Sequence, residues 1–198
     1  MQVIAVSTFA DVFRPARGAA GWTYDVLLVV LGSALVALSA QLSVDLPPSV
    51  SPVPITGQTF AILLVGALYG SKRGVATVLA YLAEGLAGLP VFAGGSGGAH
   101  HLVGPTGGYL VGFIVAALIT GLLAERGWDR RAVTTALAFT LGTMALYVAG
   151  LVWLAFFVGP GHVLAAGLVP FIPGAVLKIA LATALLPQGW KVLRWLRG

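Results

Sequence analysis

The chain has 198 residues, of which 59% are hydrophobic and only 9% are charged, and its mean hydropathy is +0.99. A soluble domain carries charge on about a quarter of its residues, so this composition excludes an ordinary soluble protein and indicates an integral membrane protein. The chain has no cysteine, which excludes disulfides and thiolate metal sites. No short apolar stretch with a small-residue cleavage site opens it, so we expect no removable signal peptide.

Six apolar stretches predict a bundle of six transmembrane helices, an all-α membrane protein made of one domain over residues 1–198. In chain order the predicted spans cover residues 22–44, 57–69, 74–89, 107–124, 132–158 and 173–196. Residues 1–21 are expected to form a cytoplasmic amphipathic lead-in, and residues 163–171 a short surface helix.

The second predicted span is short, because a bilayer crossing needs about 20 apolar residues. It can complete a crossing if residues 53–55 dip into the membrane, where neighbouring protein must cover their backbone. Prolines stiffen the preceding segment, residues 51–56, which is expected to be extended.

The positions of the basic residues predict the orientation. Ten of the eleven fall on one side of the six-span arrangement: Arg14, Arg17, Lys72, Arg73, Arg126, Arg130, Arg131, Lys191, Arg194 and Arg197. The positive-inside rule then places both termini on the cytoplasmic side of the plasma (inner) membrane, which the chain would cross several times. These charges set the topology of a protein whose partner is the lipid bilayer. The net charge of +5 therefore does not indicate a nucleic-acid partner.

Residues 89–109 join the third and fourth spans and contain many glycines but no Lys, Arg, Asp or Glu. Glycine permits positive φ and close backbone approach, so we predict a re-entrant or lid-like outer loop at a pocket. A flexible linker is the alternative. Phe92, Tyr109 and two prolines favour the lid, since a linker needs no aromatic or ring-locked residues.

Two ionisable residues are predicted inside the membrane. Lys178 lies roughly 7–8 Å below Pro173, and Glu84 roughly 9 Å below Pro90, at about 1.5 Å per helical residue. Such groups are costly and face a partner or a ligand. They could pair with each other. Alternatively, Lys178 receives an anionic ligand from outside, helped by the positive helix end at residues 173–174.

Small residues predict where helices approach closely. In the fourth span they recur every four residues, at Gly108, Gly112, Ala116, Thr120 and Ala124, and form a smooth stripe. Ser33 and Ala37 form a lesser version in the first span, for which ordinary bundle packing is the alternative.

The sequence offers little sign of enzymatic or metal chemistry. His100, His101 and His162 lack further ligands at metal-site spacing, so we predict solvated loop histidines, with no metal and no cofactor. No P-loop, dinucleotide-binding or hydrolase motif is present. We therefore expect no catalytic residues and no enzyme.

Four segments resemble the BioY family. They are residues 52–59 (PVPITGQT), 88–98 (GLPVFAGGSGG), 104–110 (GPTGGYL) and 170–178 (PFIPGAVLK). The resemblance extends over nearly the whole chain. It implies a six-helix S-component of an energy-coupling-factor (ECF) vitamin transporter that binds biotin on its outer side. It also implies assembly with a transmembrane coupling subunit and two ATPases, which fits the missing P-loop.

The resemblance also implies roles for individual residues. Ser96 corresponds to a loop residue near the ureido ring of biotin, Tyr109 to an aromatic against the ligand, and Lys178 to the polar anchor in the sixth span. The predicted substrate site further includes Phe92, Gly95 and Glu84. Ser33 and Ala37 correspond to the face offered to the coupling subunit.

One position departs from the family pattern. The family usually has an aspartate where this chain has Ala175, which leaves open how the ureido N–H groups are satisfied and whether Glu84 substitutes. The sequence thus predicts a biotin-capture subunit without covalent chemistry. An S-component for a relative of biotin, a non-transport membrane assembly protein using the fourth-span stripe, and, least favoured, an intramembrane enzyme are the alternatives.

Overall fold

The computed structural model describes residues 8–15 and 18–196, and this part of the chain is mainly helical. The predictions for residues 1–7, Arg17 and Arg197 lie outside the described residues. The helices are α1 (Phe9–Phe13), α2 (Ala19–Gln41), α3 (Gln58–Tyr69), α4 (Ser71–Leu86), α5 (His100–Val103), α6 (Gly107–Glu125), α7 (Ala132–Val158), α8 (Val163–Gly167) and α9 (Ile172–Leu196).

Short elements connect these helices. Strands β1 (Ser43–Val44) and β2 (Ile55–Thr56) form an antiparallel pair in which Ser43 lies opposite Thr56. The segment predicted to be extended therefore ends in a strand. Single 3₁₀ turns cover Ala93–Gly95, Trp128–Arg130 and Val169–Phe171. The predicted surface helix over residues 163–171 is α8 followed by the last of these turns.

Each predicted span corresponds to a helix whose ends differ from the prediction by at most three residues. Helix α2 ends early because the chain becomes extended in β1. Residues 71–73, which lie between the second and third predicted spans, form the first turn of α4, because Gly70 with φ +83° already reverses the chain.

Within residues 8–15 and 18–196, four helical segments are long and apolar enough to cross a membrane: α2, α6, α7 and the α8–α9 region. Helix α3 is apolar but has only 12 residues, and α4 has 16. The prediction of an all-α membrane protein is thus confirmed in its coarser form: the described residues are mainly helical, with one short pair of strands. Crossings by α3 and α4 stay predictions.

Helix α6 lies between α7, α3 and α4. Its predicted stripe of small residues is buried along its whole length. A Cβ added to Gly112 would lie 2.9 Å from the Leu146 carbonyl oxygen, and one added to Gly108 would lie 2.6 Å from that of Ala149. The backbone of α7 therefore contacts the backbone of α6, and the prediction of close approach is confirmed.

Ion pairs join α1, α2 and α4 at one end of the bundle. Arg73 donates to Asp25 at 2.7 Å and to Asp11 at 2.9 Å, and Arg14 donates to Asp25 at 2.8 Å. The two carboxylates thereby share two guanidinium groups. This pairing lowers the cost of charge beside apolar helices and fixes α1 against the bundle.

The end of α9 is held against the turn between α6 and α7. Trp190 donates its Nε1–H to the buried carboxylate of Asp129 at 2.5 Å, and Arg130 lies 4.5 Å from the Trp190 ring centroid. Burial raises the pKa of Asp129 to about 6, because water no longer solvates the charged form. These contacts connect the last helix to the rest of the bundle.

Candidate ligand-binding site

A cavity of about 490 Å³ lies at the N-terminal end of α6. Its volume falls within the range of about 300–1,000 Å³ that is common for small-molecule sites. The lining comes from the segment that contains β1 and β2, the start of α3, and the glycine-rich loop, residues 89–99. Helices α5, α6 and α7 and the turn before α9 complete it. Its aromatic walls are Phe92, Tyr109, Phe113, Tyr147 and Phe171, and its polar side chains are Asp45, Thr56, Gln58, His100, His101 and Thr106.

Tyr109 is fixed in the wall of the cavity. Its hydroxyl donates to the Gly167 carbonyl at 2.7 Å, which ties α6 to α8. Its ring fills the space that a side chain would take at Gly150, where an added Cβ would lie 2.4 Å from the ring. A substituent on α7 at that point would displace Tyr109, so the glycine sets the position of this wall.

A chain of hydrogen bonds orients the polar side of the cavity. Thr56 donates its hydroxyl to Gln58 Oε1 at 2.9 Å, and Gln58 Nε2 donates to the hydroxyl of Tyr81. Tyr81 in turn donates to the Val91 carbonyl at 3.0 Å. The amide of Gln58 is therefore held at the cavity wall and keeps one N–H for a ligand.

The glycine-rich loop is folded against α4. The Phe92 amide donates to the Ser96 carbonyl at 2.9 Å, and the Gly98 amide donates to that of Gly85 at 2.7 Å. The Phe92 ring occupies a notch above Gly85, where an added Cβ would lie 2.1 Å from it. This bonded structure is not that of a flexible linker, and it presents residues 92–94 to the cavity.

Of the predicted substrate residues, the structure brings Phe92 and Tyr109 together at the cavity. Gly95 and Ser96 are not among the residues that line it. The Ser96 hydroxyl donates instead to the Ala93 carbonyl at 2.7 Å, inside the turn that positions Phe92. The turn therefore uses the proton of the Ser96 hydroxyl, and the role of Ser96 near the ureido ring stays a prediction.

Lys178 and Glu84 are bonded to other groups rather than to each other. The Lys178 ammonium donates to the Thr56 carbonyl and to the Thr59 hydroxyl, both at 2.6 Å. Glu84 accepts a hydrogen bond from the Ser33 hydroxyl at 2.8 Å. Neither side chain lines the cavity, although Lys178 is bonded to Thr56, which does.

The small-residue face predicted on the first span is not exposed at Ser33. Ser33 is only 2% exposed, because its side chain packs towards Glu84 of α4. Ala37 is half-buried against the core. Ala175 of α9 is also half-buried and is not among the residues lining the cavity.

The prediction of solvated loop histidines agrees with the exposure of His100 and His162, whereas His101 is more buried than expected. His100 is exposed but lines the cavity, and His101 is half-buried there. The sequence analysis also missed Gln58 and Tyr147. Gln58 had a usable signal, since it is a polar residue at the start of an apolar span and within a family-like segment. Tyr147 had none, because one tyrosine in a long apolar helix is not distinctive.

The apolar helices and the aromatic cavity define the class: a helical membrane protein with a preformed cavity of the size that small molecules occupy. The model of the BioY family matches residues 4–195 of the chain. The chain belongs to the BioY family.

Similar proteins have informative names. The "Probable biotin transporter BioY" of Pyrococcus horikoshii is 42% identical over 80% of this chain and 91% of its own length. The "Biotin transporter BioY" of Thermotoga maritima is 39% identical over 76% of this chain and 86% of its own length. A crystal structure of the S-component for biotin from an ECF-type ABC transporter matches with a TM-score of 0.75 and 26% identity. That match covers 89% of this chain and 95% of the other.

Replacing Gly97 by alanine should loosen the glycine-rich loop. An added Cβ would lie 2.2 Å from the Leu89 carbonyl oxygen, so the loop must move. At a strain of about 1–3 kcal/mol, amide exchange at Phe92 and Gly98 should be about 5- to 150-fold faster. Hydrogen-exchange mass spectrometry of the peptide covering residues 88–99 measures this. The exposed control Ala99→Ser should exchange like the wild type, and unchanged exchange in Gly97→Ala would contradict the loop structure.

Proposed function

We propose that this protein is the biotin-binding subunit of an ECF-type transporter. It captures biotin in the cavity beside α6 and delivers it for uptake, and it leaves the vitamin chemically unchanged. The observation that carries the proposal is the preformed aromatic cavity of about 490 Å³ in a chain that belongs to the BioY family. Its relatives carry the name of biotin transporters.

The lining of the cavity suits the chemistry of biotin. The sulfur-containing ring and the methylene groups of the valerate chain would pack among Phe92, Tyr109 and Phe113, all of which are buried. The ureido group would meet fixed polar side chains such as Gln58. Because packing and hydrogen bonds already hold these side chains, binding costs little conformational entropy.

Lys178 would supply the positive charge for the biotin carboxylate. Both acceptors bonded to its ammonium in the described part of the chain are uncharged, and a third N–H is left for a ligand. A lysine within a span is stabilised by an anion in the same low-dielectric region. Its partner Thr56 lines the cavity, so a carboxylate there lies within a short side-chain movement of Lys178.

Assembly and orientation belong to the same proposal. The protein would cross the plasma membrane six times with both termini in the cytoplasm, as ten of the eleven basic residues indicate. A coupling subunit and two ATPases would supply the energy, since the sequence has no P-loop. On α2, Ala37 is still a candidate contact for the coupling subunit. Ser33 would act from inside by fixing Glu84. The glycine-rich loop would be the lid.

Filling the cavity should block biotin. Leu110 lines it and is 5% exposed, whereas Leu118 lies two turns further along α6 and is 40% exposed. We expect Leu110→Trp to lower biotin affinity by roughly tenfold or more, because the larger side chain takes up space in the cavity. A loss of about 1.4 kcal/mol of binding free energy corresponds to a factor of ten. The matched control Leu118→Trp should bind like the wild type. Equilibrium binding of radiolabelled biotin to the purified protein measures both.

Thermal unfolding of each variant accompanies that measurement. A folded Leu110→Trp protein with wild-type affinity would contradict the cavity as the site. A folded wild-type protein that does not bind biotin would contradict the proposed function itself.

Removing the charge of Lys178 should discriminate between two forms of the ligand. We expect Lys178→Met to lower the affinity for biotin by about 10- to 150-fold, which corresponds to the loss of one hydrogen bond to a charged group. It should lower the affinity for the uncharged biotin amide much less, because the amide has no carboxylate to interact with the ammonium. Competition against radiolabelled biotin gives both affinities.

Thr59→Val is the matched control for that experiment, since it removes an acceptor of Lys178 and keeps the ammonium. It should change the affinities for biotin and its amide by the same small factor. Equal losses for the two ligands in Lys178→Met would show that Lys178 only positions Thr56 and would contradict its role as carboxylate partner.

A further inference from the structure

The imidazole of His101 carries an unsatisfied polar atom next to the cavity. Its Nε2 is buried and has no hydrogen-bond partner among the described residues, while the side chain lines the cavity. A buried nitrogen without a partner costs free energy until something supplies one. In a site built for a small molecule, the ligand is the natural source of that partner.

The ring of His101 is held in place. The Phe92 ring approaches it edge-on, with centroids 5.3 Å apart at 73°, and the His100 ring lies 4.2 Å away. The carbonyl of His101 accepts a hydrogen bond from the Thr106 hydroxyl at 3.1 Å, which fixes the backbone. Nε2 therefore occupies a defined position, as a specific ligand contact requires.

The polar inventory of the cavity indicates which ligand group fits there. Donors are available, since Gln58 keeps one N–H and the Tyr147 hydroxyl makes no hydrogen bond to another described residue. Buried side-chain acceptors are fewer: Gln58 Oε1 already accepts one hydrogen bond, from Thr56, and has one lone pair left, and Asp45 is exposed. A ureido ring carries two N–H donors, which need acceptors.

We propose that His101 Nε2 accepts a hydrogen bond from a ureido N–H of the ligand, so that a neutral imidazole is part of the specificity of this site. The inference rests on the proposed function, since it takes biotin as the ligand. It adds a residue that neither the sequence analysis nor the proposed function assigns to binding.

The protonation state of His101 is suited to this role. Burial, reinforced by the neighbouring His100, lowers the pKa of His101 below its usual value, so the ring is neutral at pH 7. Besides His101, the titratable groups lining the cavity are His100, Asp45, Tyr109 and Tyr147. A proton on Nε2 removes the acceptor, so affinity for the ligand should fall as the pH falls through the pKa of His101.

The test uses biotin amide as the probe, because its own charge does not change between pH 5 and 8. Its affinity for the purified full-length protein should fall towards pH 5, by at most tenfold per pH unit. His101→Gln keeps an acceptor that does not titrate, so its affinity should stay near the wild-type value at pH 7.5 and vary little with pH. His101→Leu should lose about 2- to 13-fold at pH 7.5, the value of one hydrogen bond.

His162→Gln is the control, since it removes an exposed histidine that does not line the cavity. It should keep the pH-dependent profile of the wild type. Overlapping pH profiles of His101→Gln and the wild type would overturn the inference. So would wild-type affinity in a folded His101→Leu protein. If His101→Leu does not fold, the His101→Gln profile decides alone. Absence of biotin binding by the wild type would overturn the proposed function as well.

Discussion

Helix α6 contacts its neighbours through backbone atoms, and the position of the cavity depends on that contact. A Cβ added to Gly121 would lie 2.4 Å from the Ser71 amide nitrogen, and one added to Gly66 of α3 would lie 2.7 Å from the Ala117 carbonyl oxygen. In a bilayer the lipid tails are as apolar as the side chains, so such close packing replaces the hydrophobic effect in holding helices together. The same packing places Tyr109 against Gly150 and so fixes a wall of the cavity.

A cavity fixed in this way reduces the cost of binding. Tyr109, Phe92 and Gln58 are each held by groups outside the cavity, namely the Gly167 carbonyl, the notch at Gly85 and the Tyr81 hydroxyl. Little side-chain freedom is left for a ligand to remove, so more of the contact energy appears as affinity. The glycines of this chain thus serve the site mainly through the neighbours that they admit.

The sequence predicted the helices and the stripe of α6 because both depend on local properties, apolar run length and small residues at helical spacing. It also singled out Tyr109 through the family resemblance and Phe92 as an aromatic residue of the glycine-rich loop. It did not predict the partners of Glu84 and Lys178, because the Ser33 and Thr56 groups that bond them lie 51 and 122 residues away along the chain. Similarly, nothing in the local sequence around His101 indicates that its ring contacts the ring of Phe92.

The most direct test of the cavity as the biotin site uses the sulfur atom of biotin. The chain has no cysteine and only two methionines, so a crystal of the protein grown with biotin contains few other sulfur atoms. Long-wavelength diffraction should show an additional anomalous peak inside the cavity, between Phe92, Tyr109 and Phe113. A biotin sulfur peak at any other place on the protein would contradict the account.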